Sequence, residues 1–140
     1  MRKAEYNRLE STLRDYAMSF PGATEDFPWG ERVVKVNKKV FIFMGKSEHG
    51  FGISVKLPHS LEHALSLGYT EPTHYGLGKH GWVTARLDQA PNVSIPTLKD
   101  WIAESYRAVA PKKLVAQLDA NAVDSPASPP LRARAAKRKR

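Results

Sequence analysis

The stretch HYGLGKHGWVTARL, His74 to Leu87, spells G-x-G-x-x-G at Gly76, Gly78 and Gly81, with Lys79 inside it. Such a loop holds a pyrophosphate only where a strand feeds it and a helix leaves it, because the helix N-terminus supplies the anion site. Here Trp82 to Leu87 alternates and is rich in strand formers, and the preceding YTEPTHY contains Pro72. The spacing therefore predicts a glycine-rich turn that enters a strand, not a phosphate loop. The segment HSLEH, His59 to His63, matches H-x-x-E-H, a zinc peptidase pattern. On a helix, Leu61, Ala64 and Leu65 point away from both histidines, which leaves them in solvent with no third ligand nominated. No metal or other cofactor is expected. Ser105 falls among the apolar residues of a helix, where its hydroxyl is expected to bond the carbonyl four residues back. Glu10, Asp15, Glu62, Asp100 and Glu104 lie on helices, mostly on polar faces, and none pairs with a base at a catalytic spacing. The expectation is a non-enzymatic protein.

Basic residues carry the stronger signal. Between Arg32 and Leu57 stand Arg32, Lys35, Lys38, Lys39, Lys46 and Lys56 with a single acid, Glu48; the next strand adds Lys79, His80 and Arg86. Period-two alternation sends Val83, Ala85 and Leu87 inward and Trp82, Thr84 and Arg86 outward. Ser54 and Lys56 point outward by the same rule, as does Lys35, with Val33 on its face. An open sheet face bearing Lys35, Lys56, Arg86 and an exposed Trp82 suits phosphate neutralisation with base or groove contact. A second reading stays open: the Tyr75–Gly81 loop covers Trp82, and the lysines only guard strand edges. A pocket around Trp29, Tyr75, Lys79 and Trp82 that grips a protein or a small anionic molecule is the alternative binding mode.

The chain has 140 residues and a formal net charge of +8. That length suits one domain with a core. The last twenty residues hold six Lys/Arg (Arg132, Arg134, Lys137, Arg138, Lys139 and Arg140) against one Asp. With prolines, serines and like charges it is expected to be a disordered basic tail from residue 120, beyond a single domain over 1–119. Such tails gather at polyanions by releasing counterions. The absence of cysteine, of a secretory h-region and of any long apolar run leads us to expect a cytoplasmic protein with no membrane partner.

Tyr6, Leu9, Leu13, Tyr16, Ala17 and Phe20 recur at helical spacing, which predicts a helix over 4–19 ended by Pro21-Gly22. RVVKV and VFIFM read as strands joined at Asn37-Lys38-Lys39; after a turn at His49-Gly50, Phe51, Ile53, Val55 and Leu57 alternate as a third strand. A short helix follows between Pro58 and Gly68, then the strand 82–87. Pro96 opens a long helix with Leu98, Trp101, Ile102, Ser105 and Val109 on one face. Pro111 should break it, leaving KKLVAQLD as a turn or two. The order implies an α+β two-layer sandwich, an antiparallel sheet with helices on one face.

FPGATEDFPWG (20–30), VVKVNKKVFIFM (33–44), ISVKL (53–57), THYGLGKHGWVTARL (73–87) and LKDWIAESYRAVAPKKL (98–114) together resemble the MmcQ/YjbR family of small bacterial proteins. The resemblance covers roughly the first 115 residues. It implies a curved antiparallel sheet similar to the bacterial frataxin fold, and DNA as partner, bound by strand wings. Lys35, Lys39, Lys56, Lys79, His80 and Trp82 match the family's lysine-rich strand and K-x-G-W segment. Iron binding of the frataxin kind is not implied, because Glu5, Glu10 and Asp15 stand among Arg2, Lys3, Arg8 and Arg14.

Overall fold

The computed structural model describes residues 3–28, 31–47, 50–74, 76–89 and 94–124. Two compact units divide the chain at Ala110/Pro111. In the first, α1 (Lys3–Met18) is followed by β1 (Ala23–Asp26), β2 (Arg32–Val36), β3 (Lys39–Ser47) and β4 (Gly50–Lys56). The short α2 (Leu61–Leu65), β5 (Thr70–Pro72), β6 (Trp82–Arg86) and α3 (Ile95–Val109) complete it. All six strands join one antiparallel sheet in the order β1-β2-β3-β4-β6-β5.

The α+β architecture is as the sequence predicts, with two strands more. β1 and β5 are short, polar and half-exposed, so neither carries the alternation that marks a strand. Each occupies an edge of the sheet, where Pro72 costs no ladder bond on a second side.

Phe51, Ile53 and Val55 alternate into the core as expected, and Ile42 and Met44 lie opposite Val55 and Ile53. β3 departs from simple alternation. Val34 pairs with Ile42 but Lys35 with Val40, so Phe41 is the extra residue of a bulge. The bulge turns Phe41 toward the helices beside Ile42, where it lies 6.1 Å from the Phe20 ring and 5.3 Å from Tyr106.

The bulge also frees a carbonyl, and Ser105 of α3 answers it. Its hydroxyl donates to Phe41 O at 2.5 Å and accepts from Lys56 N–H at 2.8 Å. This replaces the expected bond to the carbonyl four residues back: a fully buried hydroxyl here links the helix to two strands.

Glu104 likewise differs from a solvated helix-face carboxylate. It accepts from the backbone N–H groups of His59 and Ser60 at 2.7 and 3.0 Å and from the Ser60 hydroxyl at 2.6 Å. Burial pushes its carboxyl up, but those donors outweigh burial and hold it below the usual glutamate value.

α1 is tied to the sheet by charge. Arg14 donates to both Glu25 oxygens, and Arg32 bonds Glu10 and Glu25. The hydrogen bonds from Arg14, with those of Arg32, hold the Glu25 carboxyl low despite its partial burial. A carboxylate lowered in the folded state stabilises above its ordinary pKa, and that contribution disappears as pH falls through the folded value. Thermal unfolding followed from neutral to strongly acidic pH should therefore show an acid-side fall that is shallower in Glu25→Gln. Identical acid limbs would make the network dispensable.

The second unit is described by α4 (Lys112–Asp124), with Pro111 marking the break before it. The expectation of one or two turns is too short. Lys, Ala, Gln and Leu are strong helix formers and carry the helix past residue 120 to Asp124, into what the sequence assigns to the tail. Arg132, Arg134, Lys137, Arg138, Lys139 and Arg140 lie outside the described residues. No helix of the described residues is long and apolar enough to cross a membrane.

Candidate functional site

The register assigns a face to each predicted site residue. Lys35 is opposite Thr24 and Val40; Lys56 is opposite Trp82, and Gly52 opposite Arg86. Lys35, Lys56, Trp82 and Arg86 thus share the sheet face turned away from α1 and α3, as alternation predicts.

Their state on that face is not the expected one. Trp82 is 8% exposed rather than open: its ring lies 5.4 Å from Phe43 in an edge-to-face contact that spans β4. Val33, on the same face and paired with Phe43, is fully buried. Nor are all the cations free. Lys35 Nζ is 2.9 Å from Asp26 Oδ2, and Arg86 holds Glu71 through two bonds of 2.9 and 3.2 Å. The bond from Arg86 is the main reason the Glu71 carboxyl sits below its ordinary value, with His74 adding to it. Asp26 and Glu71 come from the two edge strands that the sequence pattern does not reveal.

Other basic residues gather at one end of the sheet. β2 turns into β3 through Asn37 and Lys38, both at positive φ, the geometry of a two-residue hairpin. Lys38 and Lys39 are exposed at that tip. β4 ends at the same side with Lys56, and β6 begins there at Trp82. A 3-10 helix, Leu77–His80, precedes β6 and exposes Lys79 and His80. Gly76 and Gly81 bracket it in the left-handed region, at φ 78° and 89°, while a Cβ on Gly78 would come within 2.7 Å of Pro72. All three glycines of the G-x-G-x-x-G are thus spent on shaping a turn that leads into a strand.

Lys38, Lys39, Lys56 and Lys79 have no carboxylate partner among the described residues. Strand spacing sets the distance from β2 to β6 at about 14 Å, close to the width of a major groove. Of the alternative pocket, Trp29 and Tyr75 lie outside the described residues, as do Glu48 and His49, and Trp82 is committed to Phe43. His59 precedes α2 instead of lying on it, and His63 is exposed. Among the described residues no three His, Asp or Glu side chains come together as a metal site.

One antiparallel sheet with helices packed on one face, and at one sheet end a cluster of lysines with no carboxylate partner among the described residues, define an α+β sheet-and-helix protein. A crystal structure of a protein from Pseudomonas syringae has a similar fold, with a TM-score of 0.57 at 17% identity, over 78% of this chain and 99% of that one. No curated protein matches the chain. Residues 18–108 match the YjbR family model, well over half of the sequence, and the chain belongs to the YjbR family.

Proposed function

We propose that the protein binds duplex DNA, mainly through phosphates, at the sheet end that carries Lys38, Lys39, Lys56, Lys79 and His80. It acts as a binding protein and not as an enzyme. The supporting observation is the gathering at one sheet end of four lysines, in the β2–β3 turn, β3, β4 and the turn before β6, with no carboxylate partner among the described residues. Lys35 and Arg86 support the reading less than their sequence suggests, because each is already neutralised. The basic tail adds reach without sequence preference. The cell interior is the compartment where such a ligand is found.

The test is fluorescence anisotropy on several unrelated duplexes of one length, titrated with salt. Each phosphate contact contributes about 0.9 to the slope of log K against log salt. Lys56→Glu and Lys79→Glu should each weaken binding several-fold on every duplex, and Arg86→Glu should do less. Ending the chain at Asp124 should flatten the slope by up to about five units. Charge reversals at Lys38, Lys56 and Lys79 that leave affinity and slope unchanged would remove the sheet end as the contact surface.

A further inference from the structure

The opposite end of the same face holds a cavity of about 510 Å³. Its volume lies in the range of about 300–1,000 Å³ typical of small-molecule sites. The floor is backbone. Gly45 is directly opposite Gly52, and Gly50 opposite Ser47. Phe43 forms a wall, the Ser54 and Thr84 hydroxyls line it, and Glu31, Asp88 and Arg86 complete its surround.

The floor glycines have different reasons for being glycine. A Cβ on Gly52 would meet the Ala85 carbonyl oxygen at 2.9 Å, so close backbone approach accounts for it. Neither Gly45 nor Gly50 has a positive φ. A Cβ on Gly45 would meet Glu31 Oε2 at 3.2 Å, and one on Gly50 would first meet the Asp88 carboxyl, at 2.6–2.7 Å. What these two glycines leave room for is a pair of carboxylates reaching over the floor from either side.

The charges select the ligand. Arg86 bonds Glu71 and also feels the charge of Asp88, so on the cavity one guanidinium, already paired, stands against the two carboxylates of Glu31 and Asp88. Asp88 uses Oδ1 to accept from Phe51 N–H at 3.3 Å and keeps acceptor capacity for more. An organic cation can use both the carboxylates, as hydrogen-bond acceptors, and the flat surface of the glycine floor and the Phe43 ring. The aromatic wall attracts cations as well. We propose that this cavity binds a small organic cation, an ammonium or amidinium on a flat apolar body. Its charge lies between Glu31 and Asp88, and its body lies on the glycine floor against Phe43.

The experiment uses the full chain, followed by amide NMR during titration with 2-phenylethylammonium and benzamidinium. The neutral 2-phenylethanol and anionic 3-phenylpropionate serve as comparisons. The cations should produce saturable shifts at the amides of Gly45, Gly50 and Gly52, and should bind more tightly than the alcohol, with the anion weakest. The double variant Glu31→Gln/Asp88→Asn should lower cation affinity about five- to tenfold and leave that of the alcohol unchanged. Gly45→Val should fill the floor and abolish the shifts; if it does not fold, the carboxamide variant decides alone. Equal affinity for cation and alcohol, or no saturable shift at these glycines, would overturn the proposal. Lys56→Glu should leave the cation titration untouched, which keeps this result separate from the outcome on DNA.

Discussion

Trp82→Ala is expected to lower the unfolding free energy by about 3 kcal/mol, the cost of deleting a large buried aromatic. In a domain of this size that corresponds to a melting temperature lower by roughly 10–20 °C. The physical reason is its position on the outer face, where the ring lies over β4 against Phe43 and only 8% of the residue remains exposed. Removing it opens a hole on the sheet face turned away from α1 and α3, which cannot collapse to fill it. Phe43→Ala should share part of the loss, and a double-mutant cycle should return a coupling of about 0.5–1.5 kcal/mol. Trp82→Ala measured at a temperature where it remains folded should retain its DNA affinity. If the variant melts within a degree or two of the parent and loses DNA binding, Trp82 is a contact residue and the packing argument fails.

Ser105→Ala removes a single oxygen and is expected to cost about 2 kcal/mol. The loss comes less from the bond than from what it leaves behind. The Phe41 carbonyl, released from the ladder by the bulge, and the Lys56 N–H would both lose their partner beneath α3. Calorimetry should show the destabilisation, and amide exchange should show local loss of protection at Lys56. A change below about 0.5 kcal/mol would mean that the strands close the gap without the hydroxyl.

Much of the frame is legible in the sequence. The spacing of Leu9, Leu13 and Ala17 marked α1, and the alternation of Phe51, Ile53 and Val55 fixed which way β4 faces. The bulge at Phe41 was hidden because VFIFM is apolar throughout, so an extra inward residue leaves no break in the pattern. ATED and TEP were hidden for the opposite reason: edge strands with few apolar residues resemble loops.

Those two edge strands also set the charge balance of the site. Alternation put Lys35 and Arg86 on the correct face, but their partners Asp26 and Glu71 stand on those unseen edges. Alternation gives Trp82 its correct side but not its environment, because its contact with Phe43 depends on the order β3-β4-β6, which local periodicity does not contain. The same order brings Gly81, at the end of the turn that carries Lys79, beside Lys56. The cavity floor was visible only as glycines at turns and at alternating positions of strands.

The hairpin tip has a consequence for how this surface came about. Lys38 occupies the left-handed region at φ 69°, where a side chain is disfavoured and Asn-Gly is the usual pair for the turn. A glycine there would suit the backbone better but would delete an outward charge. On the proposed DNA-binding role, lysine at this position trades a relaxed loop for a charged one. That role then expects relatives that bind DNA in the same way to keep a basic residue there, and relatives that do not to be free to carry glycine.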